Sequence, residues 1–208
     1  HYKLLADQKE LNDRCNFTDS KFELGNHQLF LKNFIQEKTP YKGLLVFHGV
    51  GVGKTCSAIS ISQSFRDVYK RSTKKIICLV SKNIRPGWMN TIYDPEKGIN
   101  QCTGDTYESI VRSLDSSGFL KQSGSKRKIN KMIHQYYEFY GYREFSGMIN
   151  RLVKTGKYKD MEETNPSYLS HKRNVINEYF SDRLLLIDEV HNLRDESITH
   201  SKETLRNI

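Results

Sequence analysis

Three runs of consecutive apolar residues interrupt a largely polar chain: "KGLLVFHG" at 42–49, "KKIICLVS" at 74–81 and "SDRLLLIDE" at 181–189. Each is short, rich in leucine and β-branched residues, and bounded by charge or glycine, which predicts a strand. The apolar positions are continuous rather than alternating, so the strands are expected to be covered on both faces. Two stretches between them carry apolar residues at helical spacing. One has Leu29, Phe30, Leu31, Phe34 and Ile35 in "NHQLFLKNFIQEK"; the other has Ala58, Ile59, Ile61, Phe65 and Val68 in "KTCSAISISQSFRDVYK". Strands separated by helices imply βαβ units, and so an α/β domain around a mostly parallel sheet. Residues 1–20 are weakly patterned and read as an N-terminal extension; 21–208 read as one domain. Between about 115 and 172 the pattern turns basic and tyrosine-rich, broken by "SSG" and "QSGSK", and predicts a mainly helical insertion. Within it Tyr136, Phe139 and Tyr140 stand at helical spacing, which favours the core, with stacking on single-stranded bases as the alternative. No internal repeat is visible.

Composition narrows this picture. With 208 residues, 37% hydrophobic and 11% aromatic, the chain is expected to fold around a real core. No apolar run approaches the roughly 18 residues of a membrane span. The opening "HYKLLADQKELNDRC" is polar, unlike a leader, and begins without methionine, so the chain is read as a soluble, intracellular fragment of a longer protein. Cys15, Cys56, Cys78 and Cys102 lack metal-knuckle spacing, and four reduced thiols are expected. The net charge is +9, and residues 121–175 hold 12 Lys+Arg against 5 Asp+Glu. This concentration suits a surface for a polyanion, or a solvated lysine-rich face; charge alone does not choose. "SGSKRKINK" reads as a solvated loop.

The first apolar run breaks into glycines at 49, 51 and 53, followed by Lys54, Thr55 and a helix. Strand, glycine loop, Lys-Thr and helix form a phosphate-binding loop. Converging backbone N–H groups need a tight curl without side chains in the way, and the helix adds its unpaired amides and dipole. The segment His48, Gly49, Val50, Gly51, Val52, Gly53, Lys54, Thr55 and Cys56 is therefore expected to cradle the phosphates of ATP. Lys54 would reach the β- and γ-phosphates, and Thr55 would give its hydroxyl to Mg2+. The third run ends in Asp188 and Glu189, where a parallel sheet opens towards its ligand. Asp188 is suited to hold Mg2+ through its water shell, and Glu189 to polarise the attacking water. His191 is suited to sense the γ-phosphate. A zinc cluster of this motif with His200 is the weaker alternative, because zinc hydrolases use H-E-x-x-H on a helix.

His48 stands where the general loop pattern has its first glycine, and "HGVGVGKT" fits instead the A-x-x-G-x-G-K-T form of superfamily 2 helicases, with histidine in the alanine place. Together with "DEVH", it makes the chain resemble a DExH-type helicase or nucleic-acid translocase of that superfamily. "NHQLFLKNF" resembles the adenine-reading glutamine motif with Gln28 as the reader, a plain polar residue at a helix start being the alternative. "CLVSKNIRPGWMNTI" resembles motif Ia, with Ser81, Lys82 and Asn83 as candidate phosphate contacts and Trp88 as core. "LLVFHGVGVGKTCSAI", "YYEFYGYREFSGMI" and "LLLIDEVHNLR" resemble the helicase-like proteins of large cytoplasmic DNA viruses, of the poxviral early transcription factor small subunit and nucleoside triphosphate phosphohydrolase I type. The resemblance covers about 22–195. It implies a RecA-like ATP-binding lobe of a DNA-dependent ATPase in viral transcription, in host cytoplasm or virion. The partners implied are nucleic acid (DNA in preference to RNA), viral transcription proteins and a second RecA-like lobe, with no membrane. It also implies an isolated lobe that binds nucleotide but barely turns over, because the completing arginines come from the second lobe. An ATP-switched transcription-factor subunit that remodels a complex without unwinding, or a docking module, are the alternatives.

Overall fold

A computed structural model describes residues 22–49, 51–70, 72–116 and 125–193. The N-terminal extension, Val50 and His200 lie outside them. At the centre is strand β1 (Ile76–Leu79), all four residues of which are buried. It pairs in parallel with β2 (Tyr137–Tyr140) on one side and β3 (Leu185–Ile187) on the other, giving the order β2-β1-β3. The fold is thus mixed α/β around a small parallel sheet of three strands.

The unbroken apolar run of β1 has a direct packing consequence. Successive side chains point to opposite faces, and each face has its own core. Ile76, Cys78 and Val80 pack with Ile59, Trp88, Ile92, Tyr107, Ile133 and Tyr137. Ile77 and Leu79 pack with Phe145, Ile149, Val153 and Tyr168. The first layer is built from α2 (Lys54–Ser64) with its short continuation α3 (Arg66–Tyr69), α4 (Arg85–Ile92), α5 (Thr106–Ser116) and α6 (Ser125–Tyr136). The second layer is α7 (Tyr142–Val153) and α8 (Pro166–Phe180). Helix α1 (Asn26–Phe34) docks on α2 through Leu31, Ile35 and Ile61. Among the described residues no helix is long and apolar enough to cross a membrane.

Four expectations need correction. The stretch 123–131, read as a loop, instead begins helix α6 at Ser125, and its Ile129 is buried in the core, because Ile129 and Ile133 stand one helical turn apart on one face. The run 42–49 is extended but unpaired, with Leu45 73% and Phe47 95% exposed. A strand needs a ladder partner for its N–H and C=O groups, and no described strand lies beside it; a cleft separates it from β3. The stretch read as a helical insertion is instead woven into the sheet, because it supplies β2. Tyr137 and Phe139 point to the core while Glu138 and Tyr140 are half-buried, a strand alternation that helical spacing at 136, 139 and 140 disguised. Finally, Cys56 and Cys102 are joined in a disulfide, with Cα atoms 5.5 Å apart, so these two are not free thiols. The first turn of α2 packs against the loop after α4, and 46 residues of intervening chain hid that proximity. Cys78 is free and buried, and burial pushes its thiol pKa up, away from reactivity.

Candidate functional site

The chain runs from β1 to β2 over one layer and from β2 to β3 over the other. The carboxyl ends of the strands therefore face a common crevice, the place where open α/β sheets bind ligands. A cleft of roughly 700 Å3 runs along β3 and reaches its carboxyl end; residues 42–48 and 183–191 line it, together with Lys54, Ser57 and Trp88. Of the expected site residues, His48, Lys54, Asp188, Glu189 and His191 share this lining.

The glycine loop forms the approach to α2. Gly51 and Gly53 have φ of +82° and +81°, left-handed values that glycine adopts without strain. At Gly53 a Cβ would also stand 2.7 Å from the Gln28 side-chain nitrogen. Ser57 donates to the Gly53 carbonyl at 3.0 Å as the helix begins. The amides of Lys54, Thr55 and Cys56, in the first turn, have no carbonyl behind them in the helix. Gly49, Gly51, Val52 and Gly53 are exposed, and Lys54 and Thr55 half-buried. Thr55 and the glycines are not part of the cleft lining, and the Cys56 side chain is buried in its disulfide.

Gln28 is buried between α1 and the loop. Its amide nitrogen donates to the Gly53 carbonyl at 3.2 Å, and its oxygen accepts from Gly25 N–H at 2.9 Å. It therefore ties the start of α1 to the glycine loop. His27 Nε2 lies 3.1 Å from the Val52 carbonyl, and its ring stands edge-on to His48 at 5.4 Å. His48 Nδ1 is buried without a hydrogen-bond partner among the described residues.

The acidic turn is held from two sides. Asp188 N–H donates to the Leu79 carbonyl at 3.0 Å, extending the β1–β3 ladder by one residue. Trp88 Nε1–H donates to Asp188 Oδ2 at 3.1 Å. The Tyr142 hydroxyl, from the first turn of α7, donates to the carbonyls of Asp188 and Glu189. Glu189 has φ +52°, unusual for a residue with a Cβ and costing on the order of 1 kcal/mol. Strain of this kind persists where surrounding bonds over-determine it, and it gathers at functional turns. The Glu189 carboxylate meets His191 Nδ1 at 3.1 Å, with both side chains open to solvent.

The loop after β1 adds a third feature. Lys82 and Arg85 both pair with Glu144, at 3.1 and 2.8 Å, and Gly141 N–H donates to the same carboxylate at 2.9 Å. The Gly141 amide first, then Arg85 and Lys82, hold the Glu144 carboxyl well below its usual value, at about 2. Lys82 is thus shared with an acidic neighbour while remaining 72% exposed, and Ser81 and Asn83 lie beside it. The described basic residues of the stretch 121–175 are divided between the two layers. Arg127 and Lys131 sit on α6 in one layer, whereas Lys154, Lys157 and Lys159 follow α7 in the other.

Trp88, Tyr142 and Glu144 were missed as contributors to this site. Glu144 was legible: a glutamate at the third helical position behind a turn residue is a helix-start signature. Trp88 and Tyr142 reach Asp188 across 100 and 46 residues, which no local pattern reports. Among the described residues no cluster of three or more His, Cys, Asp or Glu could hold a metal ion, so the zinc alternative gains no support.

No family model matches the chain, and no solved structure matches it. It is similar to two Acanthamoeba polyphaga mimivirus proteins that carry ATP-dependent RNA helicase names. One is 31% identical over 205 residues, 92% of this chain and 17% of that protein. The other is 29% identical over 211 residues, all of this chain and 30% of that protein. It is also similar to an early transcription factor large subunit homolog of African swine fever virus, 27% identical over 158 residues, 67% of this chain and 14% of that protein. The chain spans less than a third of the length of each of these relatives.

Proposed function

We propose that the chain, similar to proteins of large DNA viruses that carry helicase names, is the ATP-binding, RecA-like lobe of a superfamily 2, nucleic-acid-directed ATPase acting in viral transcription. The observation that carries this reading is the shared cleft: Lys54, from the helix after the glycine loop, and Asp188 and Glu189, after the end of β3, all line it. A cation and two carboxylates around one crevice, beside a helix N-terminus, suit a triphosphate chain with its divalent ion.

The donors fit magnesium, since a carboxylate at Asp188 and a hydroxyl at Thr55 are the hard oxygen ligands it takes. Bound there, Mg2+ would neutralise charge on the β- and γ-phosphate oxygens. The chain's own groups do the rest. The amides of Lys54, Thr55 and Cys56 donate to phosphate oxygens, and the Lys54 ammonium lies along the chain towards the γ-phosphate. Glu189 Oε accepts a proton from the water attacking the γ-phosphorus. His191, already bonded to Glu189, is the group through which occupancy of the γ site reaches the segment that follows. Gln28 both supports the glycine loop and offers its second amide hydrogen to adenine. Ser81, Lys82 and Asn83 contact a nucleic-acid backbone, with Lys82 exchanging Glu144 for phosphate.

Turnover by this chain alone is expected to be slow, because an arginine supplied by a second lobe accounts for about three to five orders of magnitude in related phosphoryl transfers. A steady-state phosphate-release assay with single-stranded DNA, duplex DNA and RNA of one sequence checks this. Near-background rates with all three are expected; robust stimulation of the chain by any of them contradicts the lobe assignment. The African swine fever virus relative favours a second reading, an ATP-switched transcription-factor subunit. In the longer polypeptide, DNA-stimulated ATPase activity supports the motor, and ATP turnover indifferent to nucleic acid supports the switch.

A further inference from the structure

We infer that Trp88 is a positioning residue for Asp188: its indole N–H fixes the carboxylate that the proposed nucleotide site turns towards Mg2+, an inference that rests on that reading of the cleft. The ring is 4% exposed and packs with Ile59, Val80 and Ile92. A buried indole N–H needs an acceptor, and here the acceptor is Asp188 Oδ2 at 3.1 Å. That bond engages one carboxylate oxygen and restricts rotation about the last side-chain torsion. The backbone of Asp188 is pinned independently, by Leu79 and Tyr142. The other oxygen is left free of this bond, and both Asp188 and Trp88 line the cleft. A phenylalanine ring would keep only part of this packing, and it has no nitrogen with which to orient the carboxylate.

The chain has a single tryptophan, so its indole N–H gives a single NMR cross-peak and needs no assignment. In the nucleotide-free, 15N-labelled chain, Asp188→Ala is expected to shift that peak and speed its exchange with solvent; an unmoved peak overturns the hydrogen bond. The second arm titrates Mg2+ against binding of a fluorescent ATP analogue. Trp88→Phe is expected to raise the half-saturating Mg2+ concentration about tenfold, the scale of one hydrogen bond to a charged group, while nucleotide affinity in excess EDTA stays at the wild-type value; the smaller buried ring lowers the melting temperature, so both proteins are titrated well below the variant's own melting point. Equal Mg2+ dependence in wild type and Trp88→Phe overturns the positioning role. Mg2+ independence of the wild type itself overturns the nucleotide reading, and this inference with it, so the two failures are told apart by the unsubstituted chain.

Discussion

Lys54→Ala is expected to weaken binding of Mg2+·ATP by about 100-fold, roughly 2.7 kcal/mol, with little change in thermal unfolding. The magnitude follows from what Lys54 does in the cleft. Its ammonium is a point charge at the start of α2, in the lining of the cleft that Asp188 and Glu189 also line. A charged hydrogen bond to phosphate in a partly dehydrated crevice is worth more than a neutral one. Removing it also leaves two carboxylates facing a polyphosphate with less compensating charge. The fold should hold because Lys54 is half-buried and enters no salt bridge among the described residues. Alanine is in addition a good residue for the first turn of a helix. Equilibrium titration with a fluorescent ATP analogue, beside a melting curve of each protein, checks both parts. An unchanged affinity would remove Lys54 from the site.

Cys102→Ser is expected to lower stability by about 2–4 kcal/mol in a non-reducing buffer, the range for closing a loop of this size. The bond joins Cys56, in the first turn of the helix after the glycine loop, to Cys102 across 46 residues of chain. That span includes β1 and α4, the elements that carry Leu79 and Trp88 to Asp188. For a chain of this length the melting temperature should fall by about 5–15 °C. Wild type treated with a reductant should match the serine variant, because the remaining cysteines are not engaged with this pair. Urea unfolding with and without reductant measures the effect. Four titratable thiols in the chain denatured without reductant would contradict the bond.

The parts of this molecule that sequence reveals are those set by neighbours along the chain. The β1 run was legible because both its faces are buried, so every position is apolar and no period is needed. The helix from Lys54 was legible because glycine, lysine and threonine punctuate its start. β2 was not, because α6 ends at Tyr136 and the strand begins at Tyr137 with no turn residue between them. Aromatic residues also serve strands and helices alike. The run 42–49 misled for the opposite reason. Its residues favour a strand, yet strand formation is a property of pairs, and its neighbour across the cleft is not within pairing reach. In the site, the residue types that carry charge were readable at 54, 188 and 189, since phosphate chemistry restricts the choice. The bonds from Trp88 and Tyr142 to Asp188, and from Glu144 to Lys82 and Arg85, depend on which strand ends meet, and that is fixed only when the sheet order is known.

In the proposed site, Lys54 and the Asp188–Glu189 turn flank one nucleotide-bound divalent ion. Iron-directed cleavage tests it most directly: Fe2+ replaces Mg2+ in the presence of ATP, ascorbate and peroxide, and the fragments are mapped by mass spectrometry. The account predicts ATP-dependent cuts in two places at once, near 53–56 and near 187–190, both suppressed by excess Mg2+. Cuts in one place alone, or cuts that ignore ATP, would contradict it.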